Sequence, residues 1–182
     1  MKRKSAKEIL AESFRELAEN KSVDKITVKD ITENCGYSSA TFYRQFHDKY
    51  DLIAWEYSKS ASDIMNRIDG KSYKWSKTLT DAAEYFDNEK KYLANLFTNT
   101  SGYDSFVRYM IEQNEEYLKN YIMKKNGDDT IDETTLIYIN MYCNGTVSLV
   151  CNWVLDNFHV TKEELADIFE KSLPEPLHQY LY

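Results

Sequence analysis

The chain has 182 residues, 42% of them hydrophobic, and a formal net charge of −7. That length fits one compact unit or a small module fused to a larger one, and the hydrophobic share excludes a wholly disordered chain. Five glycines and two prolines over this length leave few helix breakers and point to an all-α protein of about nine helices.

The charge is unevenly placed. Residues 1–51 hold ten Lys/Arg against nine Asp/Glu, whereas residues 52–182 hold 13 against 21. The balanced first segment permits a local basic surface, and the acidic remainder argues against general coating of nucleic acid. Cys35, Cys143 and Cys151 have no metal-type pairing and fit reduced thiols of a cytoplasmic protein. Cys143 and Cys151 are too far apart along one continuous helix for a disulfide.

In chain order, the basic start MKRKSAKEIL runs directly into an amphipathic pattern, with no apolar signal core. Lys2, Arg3 and Lys4 fit either a frayed terminus or an arm that touches DNA phosphate. Ser5 and Glu8 have capping-box spacing, and Ala6, Leu10, Phe14 and Leu17 form one apolar stripe. A second, short helix starts at Thr27, with Ile26 and Ile31 at the two staple positions and Asp30 at the third helical position. It stops at Cys35-Gly36, where glycine supplies a left-handed end. Ser38 opens a third helix to about Phe46. Two helices joined by so short a glycine turn cross steeply, the geometry of a helix-turn-helix.

A fourth helix begins at 47–49 and is expected to end near Gly70. Later helices are expected at about 76–88, 89–98, 103–125, 132–158 and 161–172. Asn126-Gly127-Asp128-Asp129 reads as a turn, Asp132 and Thr161 as caps, and Pro174 and Pro176 as the end of the last helix. The run Leu136–Leu155 carries no charge and is long enough to span a bilayer. Asn140, Asn144, Thr146, Ser148 and Asn152 within it would be costly in lipid, so it reads as a central helix buried on nearly all sides, and no membrane span is expected.

The informative stretch is TVKDITENCGYSSATFYRQFHDKYDL, from Thr27 to Leu52. Free amides at the starts of its two helices, behind Thr27 and Ser38, suit phosphate. Ser39 and Ala40 are small enough to let the backbone approach a groove. Thr41 and Tyr43 offer hydroxyls, Arg44 suits phosphate or the O6/N7 edge of guanine, Gln45 follows on the same short helix, and Lys49 is placed to clamp the backbone. Phe42 and Phe46, four apart, form the buried face.

This stretch resembles the DNA-binding domain of the TetR family of bacterial regulators. The match rests on the capped Thr27 helix with Ile31, then Gly36, Ser38, Thr41-Phe42-Tyr43, Phe46, Lys49 and Leu52, and covers roughly residues 5–55. It departs at Ser39, where a basic residue often stands, and at Arg44, where an aromatic or histidine often stands, so it implies no particular operator. The runs KYLANLFTNTSGYDSFVRYM and GTVSLVCNWVLDNFHVTKEELADIF are similar to the C-terminal region of a Firmicutes-type subgroup of that family, which includes activators of dihydroxyacetone kinase operons.

The resemblance implies a helix-turn-helix domain over 1–50 and a helical regulatory and dimerisation domain over 51–182, acting as a homodimer on double-stranded operator DNA. It further implies control by a small-molecule effector, as in a repressor, or by a protein co-regulator, as in an activator. A helical protein-interaction module that no longer binds DNA is the reading from another class. Aromatic residues that could line an effector pocket are Tyr85, Phe86, Tyr109, Tyr117, Tyr142 and Trp153, although aromatic stripes on helices are more often core. Val150, Val154 and Leu165 are the expected dimer contacts, because the uncharged helix has more apolar surface than one core can cover. His47, His159 and His178 show no ligand spacing, and no phosphate loop, nucleophile elbow or CxxC is present, so no metal, cofactor or enzymatic activity is expected.

Overall fold

The structure is a computed structural model that describes residues 4–68, 73–101, 105–127 and 129–182. Lys2, Arg3, Gly70, Asp128 and the expected helix start at 103 lie outside the described residues. Ten α-helices and one 3-10 turn, Val23–Lys25, are present among the described residues, and no strand. The helices are α1 (Ala6–Ala18), α2 (Val28–Cys35), α3 (Ser39–Tyr43), α4 (Lys49–Met65), α5 (Trp75–Asn88), α6 (Lys90–Asn99), α7 (Phe106–Asn126), α8 (Glu133–Val154), α9 (Lys162–Lys171) and α10 (Glu175–Leu181).

The helix starts follow from local hydrogen bonding. Ser5, Thr27 and Thr161 each accept the backbone N–H three residues on, and Glu8, Asp30 and Glu164 return the bond to the cap's own N–H. Asp30, though shorter than the usual glutamate, closes its box with 2.8 Å and 3.1 Å bonds. Lys21 and the Thr27 cap hold its carboxyl well below the usual range. Asp48 opens α4 by accepting from the N–H groups of Tyr50 and Asp51.

α1, α2 and α3 surround a core of Leu10, Phe14, Ile26, Ile31, Phe42 and Phe46, all essentially inaccessible. Ser13 reinforces the α1–α2 crossing by donating to the Ile31 carbonyl at 2.7 Å inside this core. Gly36 ends α2 at φ 71°, and the next N–H, of Tyr37, returns to the Thr32 carbonyl at 2.9 Å. That left-handed residue turns the chain within two positions into the Ser38 cap. α3 stops at Tyr43, three residues short of the expected end. Gln45 and Phe46 both return their N–H groups to the Phe42 carbonyl, which tightens the last turn and lets Phe46 seat against Trp55 with ring centres 5.7 Å apart.

In the remainder, α5 packs on α9 and α7 on α8. α8 ends at Val154, short of the expected 158. Asp156 takes φ 59°, and the N–H of Asn157 reaches back to the Asn152 carbonyl at 2.8 Å, a left-handed stop without glycine. A short residue that tolerates this conformation is hard to tell from any other surface aspartate. α10 is an addition to the expected elements. Pro174 and Pro176 do not merely end α9: Pro176 lies in the first turn of α10, where its missing N–H has no helical partner to lose, and Leu177 and Leu181 are buried.

α8 is buried along one face, through Ile139, Cys143, Val147, Val150 and Val154, and bare along the other, where Ile137, Met141, Gly145, Ser148 and Leu155 are exposed. It is therefore not enclosed on nearly all sides. Val150, Val154 and Leu165, expected at a dimer interface, are 2%, 2% and 0% exposed within the single chain. That expectation is corrected: the three side chains pack in the subunit's own core and present nothing to a partner. All three cysteines are free, and no helix among the described residues is long and apolar enough to cross a membrane.

Gly36 tests this local account. A Cβ at Gly36 would meet nothing within 4 Å, so the cost of Gly36→Ala is the left-handed backbone alone, about 1 kcal/mol. Urea unfolding should show a lowered midpoint with an unchanged slope for Gly36→Ala, and a smaller loss for Gly36→Asn. Equal stability of the three chains would contradict it.

Candidate DNA-reading surface and effector cavity

The turn at Gly36 sets which side of α3 faces outward. Phe42 and Phe46 anchor the inner side, so Ser38, Ser39, Ala40, Tyr43 and Arg44 lie exposed, with Thr41 and Gln45 half-buried. Tyr43 is 61% exposed and is held edge-on against Phe42 at 5.5 Å. Arg44 has no ion pair among the described residues. Ser38 Oγ accepts from Thr41 N and lies 3.0 Å from Thr41 Oγ1, so both hydroxyls serve the cap first. Thr27 is exposed, with its hydroxyl engaged in its own box. Lys25, missed in the sequence although it stands two positions before that cap, is exposed and also without an ion pair among the described residues.

Lys49 departs from expectation. Its ammonium donates to the carbonyls of Val23, Asp24 and Ile26 at 2.8, 2.9 and 3.0 Å. An ammonium has three donors, and all three are spent. Burial pushes its pKa down, against the pull of nearby Asp24. Lys49 therefore clamps the 3-10 turn to the start of α4 and is not available as the phosphate clamp expected from the sequence.

A polar joint ties α1 to the helices behind it. Arg15 pairs with Glu56 of α4 at 2.9 Å and with Glu89 at the start of α6, and its guanidinium lies 4.5 Å over the Tyr92 ring. The Tyr92 hydroxyl donates to the other Glu56 oxygen at 2.7 Å. Burial raises the Glu56 pKa, and Arg15 and Tyr92 only partly offset it. On the arginine burial acts downward, and Glu56 more than compensates. Nearby, Asn95 of α6 donates to the carbonyls of Ala18 and Lys21 and accepts from Val23 N.

Behind this joint a cavity of about 110 Å³ opens between α4, α5, α7, α8 and α9. Four of the expected aromatic residues line it: Tyr85, Phe86, Tyr117 and Tyr142. Tyr109 does not, because its hydroxyl is held by Ser58 at 2.5 Å and its ring faces a shallow groove beside His47 and Asp51. Trp153 does not either: its indole donates to the Val160 carbonyl at 2.7 Å, and Lys90 covers its ring near the surface. Tyr57, Trp75 and Asn114 line the cavity and were missed. Trp75 begins α5 one residue before the expected start, so the helical pattern did not place it.

The chain matches two known families. Residues 9–54 match "Bacterial regulatory proteins, tetR family", and residues 73–175 match a "Transcriptional regulator C-terminal region" of TetR type. It is similar to the dhaKLM operon transcriptional activator DhaS of Lactococcus lactis subsp. lactis, at 22% identity over 98 residues, 54% of this chain and 52% of that protein. The chain thus spans about half the length of that curated relative in the match. Among solved structures, a dihydroxyacetone kinase operon activator DhaS superposes with TM-score 0.67 at 17% identity, covering 97% of this chain and 98% of that one. The Thermus thermophilus repressor FadR, solved with lauroyl-CoA, superposes with TM-score 0.64 at 15% identity, covering 92% of each chain. At such identities the structures establish the shared fold, and with the two family matches the conclusion is that this chain belongs to the TetR family of bacterial transcription regulators.

Proposed function

We propose that the chain is a cytoplasmic, dimeric repressor whose α1–α3 unit, over residues 1–50, binds operator DNA, and whose remainder, over 51–182, releases it when a small molecule fills the cavity. One observation carries this reading: α4 serves both parts. Lys49 and Glu56 hold the DNA-reading unit, while Tyr57, next to Glu56 in the chain, lines the cavity. A ligand that favours one placement of α4 shifts the population of the other end, because packed helices move as units. Exposed Ser39, Ala40, Tyr43 and Arg44 are the residues proposed to meet the major groove, with Thr27, Ser38, Thr41 and Gln45 behind them.

A palindromic operator requires two reading helices about 34 Å apart, hence a second copy of the chain. The bare stripe Ile137, Met141, Gly145 and Ser148 on α8, continued by its C-cap Leu155, with Ile168 exposed on α9, is the face proposed to meet it. A Cβ at Gly145 would touch nothing within 4 Å, which leaves room for close approach of a partner helix. FadR and its lauroyl-CoA support a ligand-released repressor. The likeness to DhaS, an operon activator, favours a second reading, an activator under a protein co-regulator.

DNA binding is tested by salt titration against the duplex upstream of the chain's own gene and a scrambled duplex. Arg44→Ala should weaken promoter binding without lowering the melting temperature. A lost base contact costs about 1–3 kcal/mol and relaxes preference at one position, whereas a lost phosphate contact flattens the salt slope by about one counterion. Lys49→Ala should instead lower the melting temperature, by freeing three carbonyls. Wild-type affinity and salt slope in Arg44→Ala would contradict the proposed surface.

Dimerisation is tested by sedimentation at micromolar concentration. Met141→Glu should give folded monomers, while Val150→Asp, which buries a charge in the subunit core, should unfold the chain. A wild-type monomer, or a dimer untouched by Met141→Glu, would contradict the proposed face.

A further inference from the structure

The cavity has a definite chemical character. Among the described residues, none that line it is Asp, Glu, Lys, Arg or His. The titratable groups that do line it are tyrosines and a cysteine, which are ordinarily neutral near pH 7, and burial pushes them further from ionisation: Tyr85 up to about 12, Cys143 to about 12, and Tyr57, Tyr117 and Tyr142 upward as well. An ion in such a site would lose its water without gaining a counter-charge.

The hydroxyl hydrogens around the cavity are largely committed. Tyr117 donates to the Ser58 carbonyl, Tyr142 to the Phe169 carbonyl, Thr146 to the Tyr142 carbonyl and Tyr57 to Asn114 Oδ1, all at 2.9–3.0 Å. One donor is different. The indole N–H of Trp75 is buried, with the residue 4% exposed, and closes no hydrogen bond of normal geometry among the described residues. The Tyr142 hydroxyl oxygen is the acceptor nearest to hand, close enough for the indole to pull the Tyr142 pKa down against its burial, but the pair does not reach hydrogen-bond geometry, and that hydroxyl already spends its hydrogen on the Phe169 carbonyl. A buried donor without an acceptor is uncommon and costly, and this one belongs to a residue of the cavity wall.

We propose that the cavity takes an uncharged, mainly apolar molecule of about one ring in size, carrying a hydrogen-bond acceptor that receives the Trp75 indole N–H. The inference rests on the reading of this cavity as the effector site and names the class of effector. The size follows from the volume: an apolar protein cavity of about 150 Å³ takes up benzene, and this one is about 110 Å³. The acceptor follows from the free donor, and the neutrality from the uncharged wall.

The test uses the full chain and three probes: cyclohexanone, with one carbonyl acceptor; cyclohexane, the same ring without it; and benzoate, an anion. The protein has three tryptophans, so its indole N–H signals are few in a proton–nitrogen correlation spectrum, and Trp75→Phe identifies one by its disappearance. Cyclohexanone should move the Trp75 signal and bind the wild type about tenfold more tightly than Trp75→Phe, about 1.4 kcal/mol. Cyclohexane should bind both chains alike, and benzoate neither. Should Trp75→Phe fail to fold, Trp55→Phe and Trp153→Phe assign the Trp75 signal by elimination, and only a probe with an acceptor should move it downfield. Equal binding of cyclohexanone and cyclohexane by the wild type, or a Trp75 signal indifferent to the carbonyl, would overturn the polar anchor while leaving the cavity as a binding site. Benzoate binding more tightly than cyclohexanone would overturn the neutral class. If no probe perturbs any cavity residue, the effector reading itself falls, and this inference with it.

Discussion

The ion pair between Arg15 and Glu56 is the constraint on which the arrangement depends. It joins the first helix of the DNA-reading unit to the helix that enters the bundle, and both partners are largely withdrawn from water. Such pairs add little net stability, because desolvation offsets the attraction, yet removing one partner from a buried pair costs about 3–5 kcal/mol. Their use is in fixing one geometry. Here Glu56 is held from two sides, by the guanidinium and by the Tyr92 hydroxyl, while Arg15 also reaches Glu89. The orientation of α1 is thereby tied to α4 and α6 together.

The remaining contacts of the joint work to the same end by other chemistry. Lys49 binds the 3-10 turn through three carbonyls, and Asn95 satisfies two carbonyls and one amide at the end of α1 and the same turn. Unsatisfied backbone groups at element ends are thus answered by side chains from α4 and α6. A displacement of either helix would leave several polar groups unmet at once, so the joint favours discrete placements over gradual drift. Tyr57 adjoins Glu56 on α4 but turns toward the cavity and bonds Asn114 of α7. One turn of helix therefore carries both the joint and part of the cavity wall.

The parts of the fold that were legible in the sequence are those with local causes. Ser5, Thr27, Ser38, Asp132 and Thr161 act as caps through atoms at most three residues away, and Gly36 through its own backbone. Phe42 and Phe46 were readable as a buried pair because helical spacing puts them on one side. The parts that were not legible depend on distant partners. Nothing near Lys49 in sequence shows that Val23, Asp24 and Ile26 will present three carbonyls to it. Val150, Val154 and Leu165 look in sequence like surplus apolar surface, but α5, α6, α7 and α10 pack on α8 and α5 packs on α9, and the surplus lies on Ile137 and Met141 instead. α10 was hidden because a proline in a first helical turn looks the same as a proline that breaks a helix. The candidate cavity was half legible for the same reason: Tyr85 and Tyr142 could be found as aromatic residues on helices, whereas only the fold shows that Tyr109 and Trp153 spend their polar atoms elsewhere and that Trp75 does not.

On the proposed reading, DNA affinity is set from behind, through the joint between α1, α4 and α6. Glu56→Gln removes the charge that holds Arg15 while keeping the size of the side chain, and it alters none of the residues proposed to meet the groove. The decisive measurement is promoter affinity of this variant, with and without cyclohexanone as the cavity probe, alongside the wild type. The account predicts a folded protein with altered promoter affinity, severalfold from wild type, and a ligand response that is reduced or lost. A folded variant with wild-type affinity and the full wild-type response to ligand would contradict it.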